Sequence, residues 1–316
     1  MLDHVQLRPL APTFGVEVTG LDSRLPLTDE ACEFLVRLIA ERSLLLFRAP
    51  GMTVDEHVAF TERIGRLVRP TELNWTPPEQ PDADPARLGN PNGYPVVNRG
   101  DVLYFVNGPG LSEAGQDRHS NWDTEDSEIG KGASAWHTAE TEKYDVELLN
   151  LLYAEVPSTH GGVTHYCDTT AAFEALDPGM RERLSKMRAV HFYTTPHPTE
   201  PVSQALVKEH AITGRLFLYF NYYTIDRIEG LPRAESDTLL KQLLLHQVAP
   251  PFRYTHHWQE GDLIVWNCNG TMHRRGPLAT GERRVMRRTQ AQVPSLASRR
   301  PWDKTIPARP EVAHSD

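Results

Sequence analysis

Apolar positions along the chain switch between a helical and an extended period. Residues 16–18 (Val-Glu-Val) read as a short strand ahead of a turn-rich stretch that runs to Pro26. After Thr28, an N-cap type, Ala31, Phe34, Leu35, Leu38 and Ile39 recur on one helical face. Residues 44–47 then form a continuous apolar run, the pattern of a buried strand. Thr53 and Glu56 make a capping-box signature for a second helix, with Gly65 placed to stop it. Further on, 148–156 reads as a strand and 169–176 as a helix, and Asp177-Pro178 starts another helix. Weak aromatic alternation over 215–223 predicts a strand, and 236–247 is a leucine-rich helix. Residues 263–266, after a Glu-Gly-Asp turn, and 284–293 read as the last strands.

Residues 71–130 break this rhythm. They are rich in Pro, Gly, Asn and Asp, with only 102–106 strand-like, so the stretch is either disordered or a lid-like insertion over a site. The remainder, strands near both ends with a few helices between, predicts an α+β, mainly β class: a barrel or sandwich flanked by helices, in one domain over 1–316.

Composition narrows the function classes. With 33 Lys and Arg against 42 Asp and Glu, the net charge of −9 disfavours nucleic-acid polymers and membranes, and an anionic ligand needs a local cationic cluster. The three widely spaced cysteines give no disulfide framework and fit a reducing cytoplasm. No apolar run reaches the roughly 18 residues of a membrane span, and the start MLDHVQLRPLAP has no signal-peptide core. A soluble cytoplasmic protein is expected, with a homo-oligomer left open. Neither G-x-G-x-x-G nor a P-loop occurs.

Three segments carry candidate chemistry: Trp136-His137-Thr138-Ala139, Gly161-Gly162-Val163-Thr164, and His273 followed by Arg284 and Arg288. With Gly15-Val16-Glu17-Val18-Thr19-Gly20-Leu21, Leu45-Leu46-Phe47-Arg48 and Gly261-Asp262-Leu263-Ile264-Val265-Trp266-Asn267 in order between and around them, the chain resembles the TauD/TfdA (taurine dioxygenase-like) family of Fe(II)/2-oxoglutarate enzymes. The resemblance implies a double-stranded β-helix (jelly roll, cupin-like) core. It implies that His137 and His273 bind iron and that Thr164 and Arg284 hold the distal carboxylate of 2-oxoglutarate, with O2 as oxidant. It also implies that Arg288 meets an anionic group of the substrate. Elementary chemistry agrees: two imidazoles suit ferrous iron, and a guanidinium with a hydroxyl suits a carboxylate. On a strand, Arg284 and Arg288 share a face roughly 13 Å apart.

Position 139 departs from the family. Where the family motif is His-x-Asp or His-x-Glu, this chain has His137-Thr138-Ala139. Strand periodicity puts Glu140 on the opposite face, a poor substitute ligand unless a bulge intervenes. Alanine leaves a vacant coordination position and one negative charge fewer, which a chloride ion could supply. By resemblance, that exchange marks the halogenase variant of the family, and the nucleotide halogenases of chlorinated deoxyadenosine antibiotic biosynthesis are the most similar kind. A nucleotide such as 2′-deoxyadenosine monophosphate is then the implied substrate. The alternatives are a hydroxylase or desaturase with an altered iron site, and a non-catalytic relative.

Arg69, before Pro70, is a second candidate for the substrate anion, and Tyr222 and Tyr223 are candidates to stack a base. The plainer reading of the two tyrosines is packing. Arg274, Arg275, Arg283 and Arg287 read equally well as a solvated strand face. His256-His257-Trp258 reads as surface or strand packing, since neighbours on a strand face opposite ways.

Overall fold

The structure, a computed structural model, describes residues 2, 4–73, 79–80, 82, 96–107, 136–138, 147–192, 200–210, 212–279 and 282–293. The elements, in chain order, are β1 (Gln6–Pro9), β2 (Val16–Thr19), α1 (Asp29–Arg42), β3 (Leu44–Arg48), α2 (Val54–Ile64), β4 (Arg66–Leu67), β5 (Val96–Arg99), β6 (Val102–Asn107) and β7 (Glu147–Val156). They continue with β8 (Thr164–Asp168), α3 (Thr169–Glu174), α4 (Pro178–Ser185), β9 (Arg188–His191), β10 (Val202–Ala205), β11 (Val207–Glu209), β12 (Leu216–Leu218) and β13 (Ile225–Ile228). Last come α5 (Arg233–Gln247), β14 (Arg253–His256), β15 (Asp262–Asn267), β16 (Thr271–Arg275) and β17 (Arg284–Val293).

Local chemistry explains the helix starts. Thr28 Oγ1 accepts the Ala31 N–H at 3.2 Å. Thr53 and Glu56 satisfy each other: Glu56 N–H donates to Thr53 Oγ1 at 3.2 Å and Thr53 N–H to Glu56 Oε2 at 2.7 Å. Asp177 caps α4 by accepting the Met180 N–H, with Pro178 in the first turn. Gly65 ends α2 for a different reason from the one its sequence suggests. Its φ of −174° is extended, and the need for glycine is steric, because a Cβ there would lie 2.8 Å from the Gln292 carbonyl oxygen.

The large sheet runs β1-β2-β3-β15-β7-β17-β6-β5, with β4 on β17, and a small sheet runs β14-β8-β16. The core strands from β7 onward divide between the sheets, β7, β15 and β17 in the large one and β8, β14 and β16 in the small one, all antiparallel to their partners. The chain crosses between sheets from β7 to β8, β14 to β15, β15 to β16 and β16 to β17. That crossing pattern is the double-stranded β-helix of a jelly roll. Period-two side-chain alternation then sorts the residues. Leu45 and Phe47 of β3, with Leu149, Leu151 and Val265, face outward into a cluster with Leu35, Leu38 and Ile39 of α1 and Phe60 and Ile64 of α2. Leu44 and Leu46, with Leu103, Leu152, Ile264, Trp266 and Met286, face inward and meet Tyr166 of the small sheet. A third cluster, centred on α5 and the strands β9–β13, covers the outer side of the small sheet at Cys167 and Met272. Each fully buried Leu in these clusters contributes roughly 1.5–3 kcal/mol.

Several expectations change. Most of 71–130 lies outside the described residues, but 96–107 is a hairpin on the edge of the large sheet, so that part belongs to the barrel wall. The strand expected over 215–223 stops at Leu218, and the chain turns at Asn221, whose backbone carbonyl accepts the N–H groups of Thr224 and Ile225. The solvated-face reading fails for two arginines. Arg287 is 2% exposed and Arg274 7%, the latter with its guanidinium 5.6 Å from the Trp136 ring centre. Among the described residues no helix is long and apolar enough to cross a membrane. The three cysteines are free and buried.

Candidate active site

The two histidines meet on the edge of the small sheet. In the β16–β8 ladder His273 lies opposite Tyr166 and Arg275 opposite Thr164, so all four share the inner face. On the other side of β16, His137 N–H donates to His273 O at 3.0 Å and His273 N–H to His137 O at 2.8 Å. The ring centres are 4.1 Å apart. Segment 136–138 is pinned around this bridge. The Thr138 hydroxyl donates to the Cys268 carbonyl, Asn221 Nδ2 donates to Thr138 O at 2.9 Å, and Tyr222 N–H donates to Trp136 O. Trp136 and Thr138 are buried, whereas both histidines are only half-buried.

Aromatic rings frame the pair. Trp266 lies 4.8 Å and edge-on to His273, and Tyr223 lies 4.5 Å from His137. Burial, followed by the charges of His137 and Arg288, holds the His273 imidazole well below its ordinary pKa, so the ring is neutral and its lone pair is available. Its Nδ1 is buried with no hydrogen-bond partner among the described residues. Two converging imidazoles, one carrying an orphaned ring nitrogen, fit a divalent iron.

Opposite, β17 places Arg284, Met286 and Arg288 on the inner face, where Met286 joins the core between the sheets. Arg284 is 4% exposed, and its stem passes beside Gly162, where a Cβ would come within 3.3 Å of Arg284 Cδ. Gly162 has φ +68°, so the turn into β8 needs glycine for its conformation as well as for this approach. Thr164 is buried, and its Oγ1 accepts the Trp258 indole N–H at 2.9 Å. Arg288 is half-buried, with its guanidinium carbon 5.2 Å from the Phe105 ring centre, and its Nη2 donates to Gln290 Oε1 at 3.3 Å.

A two-histidine jelly roll with an arginine–threonine pair facing it has counterparts among known proteins. The sequence pattern of the taurine catabolism dioxygenase TauD, TfdA family matches residues 6–290. The chain belongs to that family of Fe(II)/2-oxoglutarate dioxygenases. It is 28% identical over 300 residues to the alpha-ketoglutarate-dependent 2,4-dichlorophenoxyacetate dioxygenase of Cupriavidus pinatubonensis, covering 90% of this chain and 96% of that one. To pentalenolactone F synthase of Streptomyces arenae it is 32% identical over 193 residues, 53% of this chain and 64% of the relative. Among solved structures, AAD-2 in complex with Mn(II) and N-oxalylglycine superposes with a TM-score of 0.67 at 22% identity, covering 92% of this chain and 98% of that chain. A putative alpha-ketoglutarate-dependent taurine dioxygenase from Burkholderia xenovorans gives 0.69 at 21%, covering 92% and 93%. These two structural likenesses speak for the fold.

Within this TauD/TfdA site the residues singled out from sequence fare differently. His137, His273, Thr164, Arg284, Arg288 and Tyr223 are placed around the space between the sheets. Tyr222 is not available to a ligand: it is 1% exposed, its ring stacks on Phe220 at 5.9 Å, and its hydroxyl donates to Leu240 O of α5 at 3.2 Å. Arg69 is largely exposed and pairs with Asp101 at 2.8 Å. Ala139 and Glu140 lie outside the described residues.

Sequence reasoning missed Tyr166, Trp258 and Asn221. In the sequence Trp258 reads as packing, and only the fold shows its indole bonding to Thr164. The parity of Tyr166 with Thr164 on a strand was the available signal, hidden because β8 is short and half polar. His256, two residues before Trp258, is 2% exposed, and its Nε2 meets Asp262 Oδ2 at 2.9 Å, so it is committed to that carboxylate.

Proposed function

We propose that this chain is an iron- and 2-oxoglutarate-dependent halogenase that chlorinates an unactivated carbon of a small anionic metabolite, a nucleotide such as 2′-deoxyadenosine monophosphate. The observation that carries the reading is Ala139, two residues after His137. An alanine side chain has no donor atom in any conformation, so it cannot supply the carboxylate ligand that the family motif carries there. A chloride ion restores both the ligand and the charge.

His137 and His273 hold the iron in this reading, while Thr164 and Arg284 clamp the distal carboxylate of 2-oxoglutarate. The metal and cosubstrate together supply the oxidising power that breaks an unactivated C–H bond. Overall, substrate C–H, 2-oxoglutarate, O2, chloride and a proton give C–Cl, succinate, carbon dioxide and water. Arg288 supports an anionic substrate. Its charge is felt at His273, and Phe105 lies against its guanidinium, so a phosphate held there would sit near the metal ligands. Tyr223, half-buried against His137, offers a flat face to a base. The nucleotide rests on these two contacts and on the sequence resemblance.

A second reading, hydroxylation with water or Glu140 completing the metal shell, is favoured by the named relatives, one of which is called an alpha-ketoglutarate-dependent 2,4-dichlorophenoxyacetate dioxygenase. One experiment separates the two. Protein loaded with Fe(II) under anaerobic conditions, with 2-oxoglutarate, chloride and a panel of nucleotides, is opened to air and analysed by mass spectrometry against a chloride-free control. A product with the chlorine isotope doublet, absent without chloride, is expected. A hydroxylated product formed equally with and without chloride establishes the second reading and removes the first.

A further inference from the structure

Tyr166 is 0% exposed, and its Oη has no hydrogen-bond partner among the described residues. Buried hydroxyls are nearly always bonded, because leaving one unbonded costs about 1–3 kcal/mol. The ring has no freedom to turn away. It lies between Trp266, at 5.4 Å and edge-on, the stacked ring of Tyr254 at 6.5 Å, and His273 at 6.0 Å. Its hydroxyl is therefore held where a partner is missing.

The surroundings say what kind of partner fits. Tyr166 and Thr164 are two residues apart on β8, hence on one face. Thr164 receives the Trp258 indole N–H, and since that group can only donate, the threonine keeps its own proton; its side chain is near enough to act on the Tyr166 hydroxyl without closing a hydrogen bond of normal length. The Arg284 stem passes Gly162, just ahead of Thr164 in the same turn, and the guanidinium charge reaches the Tyr166 hydroxyl. A tyrosine hydroxyl keeps its proton at neutral pH and can donate it. Two hydroxyl groups and a guanidinium lie on this side of the site. Such a set matches an anion with several lone pairs.

We infer that the Tyr166 hydroxyl is a third donor to the distal carboxylate of 2-oxoglutarate, beside Thr164 and Arg284. The inference rests on the reading of Thr164 and Arg284 as the cosubstrate clamp. It makes Tyr166 a residue that selects 2-oxo diacids over 2-oxo monoacids, and it gives the buried hydroxyl its missing bond only when the cosubstrate is present.

Calorimetry on the Mn(II)-loaded protein under air tests this without turnover. The titrants are 2-oxoglutarate and 2-oxopentanoate, which has the same length but ends in a methyl group. Tyr166→Phe keeps the ring and its packing, and a melting curve alongside verifies the fold. The expected result is a roughly 3- to 10-fold rise in Kd for 2-oxoglutarate with the 2-oxopentanoate Kd unchanged. An unchanged 2-oxoglutarate Kd in Tyr166→Phe, while Arg284→Gln weakens it strongly, overturns the inference and leaves the clamp standing. No effect of either variant overturns the clamp and the inference together. Equal weakening of both titrants assigns Tyr166 a general packing role and also overturns it.

Discussion

Trp258 and Thr164 are joined by one hydrogen bond across the edge of the small sheet, the indole N–H donating to Oγ1 at 2.9 Å. An indole has no acceptor, so the threonine oxygen is fixed as the receiving partner and its rotor is oriented. Trp258→Phe keeps most of the packing and frees that rotor. The 2-oxoglutarate Kd should rise about 3-fold, with little change in binding of a 2-oxo monoacid, given the roughly 0.5–1.5 kcal/mol net value of one hydrogen bond. Equal affinities in calorimetry would show that Thr164 needs no help.

Ala139→Asp should restore a carboxylate two residues from His137, displace chloride and abolish chlorination. Hydroxylated product should appear only where the substrate radical is suitably placed. The product ratio by mass spectrometry is the readout, and retained chlorination would move the halide site away from position 139.

Gly162→Ala and Gly51→Ala form a matched pair. Both glycines have positive φ, +68° and +75°. A Cβ at Gly51 meets nothing within 4 Å, whereas at Gly162 it lies 2.6 Å from Leu278 and 3.3 Å from Arg284 Cδ. Each change should cost on the order of 1–2 kcal/mol from the backbone alone. Only Gly162→Ala should also raise the KM for 2-oxoglutarate, by displacing Arg284. Urea melts and steady-state kinetics separate the two effects.

Arg287 ties α2 to the sheet. It donates through Nη1 to Glu155 at 2.7 Å, through Nη2 to the carbonyls of Met52 at 2.9 Å and Thr53 at 3.1 Å, and through Nε to His57 Nδ1 at 3.1 Å. Arg287→Met leaves those acceptors without their donors and should cost about 3 kcal/mol. That is the lower end of the range for breaking a buried pair, because Glu155 keeps access to water. A loss under 1 kcal/mol in a urea melt would contradict this.

His57 gives stability a pH dependence. Burial, then the nearby Arg287 charge, holds its pKa well below the ordinary value, while His191, buried beside Thr224 and sensing Lys208, is pushed down to about 3. The unfolded chain therefore takes up protons near pH 6.5 that the folded chain refuses. Stability is full above that pH and is lost below it, at about 1.4 kcal/mol per pH unit for each group. His57→Gln should flatten the dependence between about pH 5.5 and 6.5 by one group's share, as read from urea melts across that interval. An unchanged slope would exclude His57.

How far the sequence could be read depended on whether local chemistry or distant partners decided each element. Thr28, Thr53 with Glu56, and Asp177-Pro178 mark helix starts by bonds made within a few residues, and all three starts are found there. The long strands β7 and β17 declare themselves by composition. Strands such as β10 (Val-Ser-Gln-Ala) and β11 (Val-Lys-Glu) carry no apolar pattern and exist because a neighbour pairs with them. The parity of Arg284 with Arg288 was legible, and so was the approach of the two histidines through the family motif. Tyr222 is buried instead of facing a ligand because the strand that begins near Arg215 ends at Leu218, beyond which alternation no longer sorts side chains.

The mutual backbone bonds of His137 and His273 join segments from distant parts of the chain, with β7, β8 and the whole α5 region between them. Closing that loop has an entropic cost, which the packing of the two sheets offsets. A cation held by both rings would bind only chains that have completed that closure. Metal uptake would then act as proof-reading of the assembled barrel, and metal excess would shift the population toward the closed form by mass action.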